Sequence, residues 1–372
     1  MSRVPHVFVD ISAHGLGHLA QTAPVLDALA ARSPSLRLTI RSGLAEDRLR
    51  LRIAQPFTHL PASSDVSFLM HDATRVDRER SAAAYRAAHA DWPAQVAAEA
   101  DFLTALAPDL VLANVSALPL AGARAAGIPA AALCSLNWAD QFAFLFAGED
   151  WAASIHAQLH AAYAGAEVFL RCLPATAMPT LPRVVDLPPI ARVGRAEHAA
   201  LAAAIGAGDE RLVLVGMGGI GFDLPLAQWP QTPGIRWLVR GAPAGRRPDV
   251  TDYGALGWHF SDLLASVDAV VTKPGYGMFV EAAAAGTPLL YLRRDDWPEQ
   301  DALIDWLAAE AVCAELAADD FSSGGFVRQL AALWRQPRRR VAADGAAEAA
   351  RQLLALLADD GAAPREKFRA GS

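Results

Sequence analysis

Short apolar runs recur along the chain, each followed by a glycine-rich or polar turn and then by a longer alanine-rich segment. His6 to Ser12 is the first such run; it passes through the turn His14 to His18 into a helix predicted from about Leu19 to Ala31. Leu36 to Ile40 and Leu110 to Ala113 read as further strands, and Gly127 to Cys134 as a helix-to-strand step. Between them, Thr74 to Pro108 has the length of one long helix, or of two broken near Trp92 and Pro93. The aromatic run Gln141 to Phe146 reads as core packing, the alternative being an acceptor pocket or a membrane-facing lip. Prolines 174, 179, 182, 188 and 189 crowd the stretch Pro174 to Arg192, which suits an extended crossing between domains. We therefore divide the chain at 1–187 and 188–372.

In the second part the same rhythm returns. Arg211 to Val215 runs into the glycine turn Gly216 to Gly221, Ile235 to Val239 is the next strand, and Trp258 to Phe260 precedes a helix at Asp262 to Ser266. Ala269 to Val271, the turn Pro274 to Gly277 and a helix from Met278 to Ala285 follow, then a buried strand at Thr287 to Leu292 and a polar loop, Arg293 to Gln300. Beyond Asp319 the pattern is helical; the last helix, about Arg338 to Leu357, is expected to return to the first domain, and the residues after Gly361 to fray. Strands that alternate with helices predict an α/β fold with parallel sheets, here as two Rossmann-like domains facing one another across a cleft.

Composition narrows the setting. A length of 372 residues favours two domains, and 53% hydrophobic with 20% charged residues is ample for globular cores. A net charge of −7 and the lack of a long basic run before residue 335 argue against nucleic acid as a partner. Cys134, Cys172 and Cys313 are odd in number and far apart, which suits reduced thiols rather than a disulfide scaffold. We read no secretory signal and no membrane span, and expect a cytoplasmic protein with at most peripheral membrane docking. The oligomeric state stays open.

The stretch Ser266 to Leu307 holds the most chemistry. Strand, glycine turn and helix form a phosphate cradle: Gly275 and Gly277 admit close approach, and the free N–H groups of the first helical turn favour an anion. Lys273, Tyr276 and Met278 frame that turn and join the donor-facing set. Glu281, one turn into the helix, is placed to meet a ribose diol. In the amino-terminal turn, Gly15, Gly17 and Ala20 satisfy a dinucleotide fingerprint, but the next strand ends in Arg41 where an NAD enzyme wants a carboxylate; Arg41 keeps an NADP oxidoreductase in view. His14 and His18 suit acid–base chemistry at the mouth of a cleft, with His18 the better placed as general base, and Asn114 stands at the carboxyl end of a neighbouring strand. No metal is required, because helix N-termini can carry a diphosphate and no Asp-x-Asp pattern occurs. We expect no cofactor.

Taken together, HGLGHLAQTAPVLDAL, VDRERSAAAYRAAHADW, PDLVLANVSALPLAGARAAGIPAAAL, LNWADQF and VVDLPPIARV resemble the glycosyltransferase-like amino-terminal half of plant arabinokinases over most of residues 6 to 335. More distantly the chain resembles the lipid-linked muropeptide N-acetylglucosaminyltransferases. The resemblance implies a GT-B fold and transfer of a sugar from a nucleotide diphosphate sugar, UDP by preference, to a small acceptor bound by the first domain. It implies that Gly17, Gly218 and Gly219 approach the donor, that Phe260 lines the nucleobase pocket, and that Glu299 and Gln300 read the donor sugar; Arg293 joins the donor-binding set, the alternative being that Arg293 and Arg294 neutralise Asp295 and Asp296. It also matches His18 to the histidine that closes the glycine turn, and places Asn114 where the pattern has Asp. A kinase phosphate loop is not seen. A non-catalytic nucleotide-sugar sensor and a nucleotide-sugar epimerase stay open beside the transferase.

Overall fold

Two parallel sheets carry the chain, and the computed structural model describes residues 4–242, 247–294 and 296–359. In the first sheet the strands lie in the spatial order Thr58–Leu60, Arg37–Arg41, His6–Ile11, Leu110–Asn114, Ala130–Cys134, Val168–Cys172 and Val184–Leu187, all parallel. In the second the order is Val250–Asp252, Ile235–Val239, Arg211–Gly216, Ala269–Thr272, Leu289–Leu292 and Cys313–Leu316, again all parallel. In both sheets the chain builds outward from its first strand on one side, then crosses to the other. The crossing leaves a switch point beside the first strand, and parallel α/β sheets bind ligands at the carboxyl ends there.

Local chemistry explains the helices that flank these strands. Asp77 caps the helix Arg78–Ala88 by accepting from Arg80 N, and Asp91 caps Trp92–Leu106 by accepting from Ala94 N, with Pro93 in its first turn. Of the one helix or two that the pattern allowed, two therefore form, with the break just before Trp92 and Pro93. The helix Tyr276–Ala285 starts two residues earlier than the alanine run suggests and ends at Gly286, whose φ of +73° closes it in the left-handed region. The proline-rich crossing contains a strand after all: Val184–Leu187 pairs with Val168–Cys172 and ends the first sheet. Pro188 and Pro189, which cannot donate to a ladder, stop it. The run from Gln141 to Phe146 is helical, with Phe142 and Phe146 packed against Phe68, Tyr85 and Trp151 as core.

The two halves share apolar contacts. One cluster reaches from Val9, Leu26 and Ile40 through Ile190 and Leu353 to Phe279 and Leu289. The last helix begins later than expected, at Gly345–Asp359: residues 338–343 are irregular and Asp344 forms a bridge with Ile190. It packs on Gly17–Arg32, the first helix of the amino-terminal half, and buries Ala349, Ala350 and Leu353. Each fully buried leucine of this kind contributes about 1.5–3 kcal/mol.

At the start of that helix, Gly345 N donates to Pro189 O at 3.1 Å, and a Cβ on Gly345 would collide with the Pro188 carbonyl. Gly345→Ala should therefore unseat the helix and cost about 1–3 kcal/mol, the range for overpacking a tight contact. Urea denaturation measures this, and an unchanged midpoint would show that the helix re-seats without loss.

Candidate active site

The carboxyl ends of both sheets open into one cleft cavity of about 380 Å³, within the usual range for small-molecule sites. The first half contributes the turn His14 to His18 and the start of its helix. The second contributes Gly216, Gly218 to Ile220, Lys273 to Met278, Glu281, Arg294, Trp297 and Glu299, with Tyr253 and Gly257 to Phe260 at one end. Thr272 Oγ1 donates to Gly216 O at 2.6 Å and ties together the two strand ends at the second switch point.

Glycines set the width of the cleft. A Cβ on Gly277 would lie 2.9 Å from Ala20 Cβ, so the helices Tyr276–Ala285 and Gly17–Arg32 approach closely there. A Cβ on Gly219 would lie 2.8 Å from Leu16 Cγ. Gly277 and Gly219 thus hold the two halves together, whereas Gly17 and Gly275 face open space or the end of a lysine, where a ligand can come close to backbone. Gly218, at φ +93°, turns the chain beside Lys273, whose Cε would be 3.6 Å from an added Cβ.

His18 is buried, and its Nδ1 lies 2.9 Å from Asn114 Oδ1. Asn114 Nδ2 donates to Thr22 Oγ1 at 2.9 Å and to Gln21 Oε1 at 3.2 Å, so its carbonyl oxygen is the end that faces the imidazole. Nδ1 therefore carries the proton and Nε2 keeps its lone pair, the form a general base requires. Burial pushes the His18 pKa down, while the Asn114 hydrogen bond and the charge of Glu299 act upward. The network continues across the cleft: Gln21 Nε2 donates to Ser135 Oγ at 2.7 Å, and Ser135 Oγ donates to Glu299 Oε1 at 2.5 Å. Trp297 Nε1 donates to the other oxygen of Glu299 at 3.0 Å. His14 stacks on Trp297 with ring centroids 5.2 Å apart, and burial, then the charges of His18, Arg294 and Lys273, push its pKa well below the ordinary value. It stands neutral.

The remaining residues singled out from sequence divide into groups. Lys273, Gly275, Gly277, Met278, Gly218, Gly219, Phe260 and Glu299 line the cavity. Tyr276 borders it too, but its hydroxyl accepts from Ile190 N at 2.9 Å and donates to Leu173 O at 3.1 Å, which anchors the crossing between the halves. Glu281 lines the cavity and forms a two-pronged ion pair with Arg52 from the first half. Arg293 does not line it: the side chain turns outward to Asp301 at 2.8 Å and Glu315 at 3.3 Å. Gln300 is buried behind the loop, its Oε1 accepting from Arg294 N at 2.9 Å. The loop's cavity-facing cation is Arg294, one residue on, whose role the sequence leaves open between a donor contact and neutralising Asp295 and Asp296; Arg52, Ser135 and Trp297 line the cavity without being singled out by the sequence. Arg41, the anchor of the NADP alternative, is buried and bound by Asp10 at 2.6 Å and by both oxygens of Glu99, so no side of it is free for a ribose phosphate. No group of three or more His, Cys, Asp or Glu suited to a metal ion occurs among the described residues, and no helix among them is long and apolar enough to cross a membrane.

Against known proteins, the chain matches no protein-family profile. It is 24% identical over 329 residues to L-arabinokinase of Arabidopsis thaliana, covering 84% of this chain but only 30% of that protein's length. Among solved structures it is similar to CalG4, the calicheamicin glycosyltransferase, with a TM-score of 0.63 and 20% identity, covering 98% of this chain and 100% of the other. UGT89C1 of Arabidopsis thaliana, solved with UDP, gives 0.59 and 16% over 95% and 99%. UGT71G1 of Medicago truncatula, solved with UDP-glucose, gives 0.56 and 11% over 95% and 98%. These likenesses show the fold: two Rossmann-like domains in the GT-B arrangement.

Lys273 offers a test of the site's electrostatics. Burial and the neighbouring Arg294 lower its pKa from 10.5 to about 7, with Glu299 opposing. Between those values the unfolded chain holds a proton that the folded one has released, so this group's contribution to stability rises with pH from about 7 to 10.5. Urea denaturation at several pH values between 7 and 9 should show a shallower rise for Lys273→Met than for the parent. Parallel profiles would place the lysine in solvent.

Proposed function

We propose that the protein transfers a sugar from a nucleotide diphosphate sugar, with UDP as the nucleotide, to a hydroxyl acceptor held by the first domain. The observation that carries this reading is His18, on the first-domain wall of a cleft whose other wall is a phosphate cradle, with its proton fixed on Nδ1 by Asn114. The GT-B fold and the nucleotide complexes of its structural neighbours support the same reading. The diphosphate rests on the N-terminus of Tyr276–Ala285, near Lys273 and the backbone of Gly218 and Gly219. The nucleobase lies at the Trp258 to Phe260 end. His18 Nε2 takes the acceptor proton as the hydroxyl oxygen attacks the anomeric carbon, and the nucleoside diphosphate leaves against the helix N-terminus and Lys273. The acceptor itself is an alcohol of unassigned class.

Glu281 binds the ribose hydroxyls in this reading, and must exchange Arg52 for them or accept both. Either way its loss removes hydrogen bonds to a charged group. Glu281→Ala should weaken UDP binding by about 1.5–3 kcal/mol in calorimetric titration. Unaltered affinity in a folded variant would mean that Glu281 serves Arg52 alone.

A neutral Asn114 favours a second reading. An aspartate there would stabilise the imidazolium as the proton arrives; an amide orients the ring without supplying charge, and burial already disfavours the charged form. Glu299 is the carboxylate whose field reaches His18, and it comes from the opposite domain. The alternative is a nucleotide-sugar-binding protein without turnover. Product analysis with UDP-sugars and an alcohol panel separates the two: His18→Ala should lower turnover by about 10²–10⁴ with UDP binding kept. Binding with no product in the parent protein would establish the sensor.

A further inference from the structure

The loop after the strand Leu289–Leu292 presents Arg294 to the cavity, and its guanidinium has an incomplete set of partners. The residue is 4% exposed, and its Nε and Nη2 are buried with no hydrogen-bond partner among the described residues. Such groups are rare because an unmade hydrogen bond to a buried charged donor is costly, so each calls for an explanation in terms of a missing ion, water or ligand. The acidic neighbours do not supply the bonds. Asp296 comes no closer than 3.9 Å to Nε and instead accepts from Val76 N through its other oxygen. Both oxygens of Glu299 are engaged by Ser135 and Trp297. Asp72 acts on Arg294 only through its charge, while Lys273 and His14 face the same space and accept nothing from it.

The guanidinium is also held in a fixed plane. It lies over the Trp297 ring, 4.4 Å from the centroid, and Trp297 is itself stacked on His14 and tethered to Glu299. A flat, pre-oriented fork with free N–H groups matches a carboxylate, which it can bind through two parallel hydrogen bonds. The diphosphate already has its cradle at the central switch point, in Gly218, Gly219, Lys273 and the helix start at Tyr276. Arg294 leaves the sheet one strand further out, since Leu289–Leu292 pairs with Ala269–Thr272 on the side away from Arg211–Gly216. An anion met there lies past the phosphates.

We propose that Arg294 receives a carboxylate on the transferred sugar, so that the donor is a nucleotide uronate. The proposal rests on the nucleotide-sugar reading above and specifies its donor class. Calorimetric titration of the full chain with UDP, UDP-glucose and UDP-glucuronate tests it, with Arg294→Met and Arg294→Lys alongside. UDP-glucuronate should bind the parent about 10- to 100-fold more tightly than UDP-glucose, the equivalent of a hydrogen bond to a charged group. Arg294→Met should remove that difference with UDP affinity kept, and Arg294→Lys should restore it in part, since lysine keeps the charge and loses the fork. Equal binding of the two sugars by the parent, or an equal loss of UDP and UDP-glucuronate in Arg294→Met, overturns the uronate and assigns the guanidinium to the β-phosphate or to the fold. No binding of UDP in any form would instead remove the nucleotide-sugar reading on which the proposal stands. A thermal melt of each variant separates misfolding from lost contacts.

Discussion

Everything at the cleft depends on how closely two helices can meet. Gly17–Arg32 and Tyr276–Ala285 follow the glycine turns of opposite sheets, and they touch where Gly277 lies against Ala20. A side chain at Gly277 would force them apart, and with them the two walls that carry His18 and the turn Lys273 to Met278. The contact is strengthened by Leu16 packed over Gly219 and by the last helix lying along Gly17–Arg32. Small residues at these points turn two separate sheets into one site, because dispersion contacts and water exclusion both fall off within an ångström or so of separation.

Much of this was legible in the residues. A strand, a glycine turn and an alanine-rich helix, twice over, give the two parallel sheets, and the turn positions fall at the switch points that the strand order creates. The glycines were harder to interpret than to find. Gly275 and Gly277 are two residues apart in one turn, yet one faces the cavity and the other packs against a helix of the other half; only the assembled interface distinguishes them. Val184–Leu187 was hidden by its prolines, which lie outside the strand and merely end it.

Side chains that depend on distant partners were not legible. Glu281 sits one turn into its helix as expected, but its companion Arg52 is 229 residues away and carries no local signal. The loop from Arg293 to Gln300 shows the same limit at short range. In an extended segment adjacent side chains point to opposite sides, so the choice between Arg293 and Arg294 turns on register, which periodicity fixes only within a regular strand. Arg293 went outward to Asp301 and Glu315; Arg294 went in. Within the acid–amide pair the helix start made a similar choice, sending Glu299 toward Ser135 and Gln300 toward the loop backbone.

The charges in the cleft follow from that arrangement. The second domain supplies two cations of the cleft, Lys273 and Arg294, and also Glu299, which lies close enough to act on both. Glu299 is fastened to the first domain through Ser135, and through Gln21 and Asn114 to the residue that orients His18. The contact between the halves therefore places a negative charge of the second domain close to His18. With asparagine rather than aspartate behind the imidazole, the Asn114 hydrogen bond and that charge offset part of the burial that disfavours the protonated ring. A histidine backed by its own aspartate would carry that compensation within the first half; here the carboxylate comes from across the cleft.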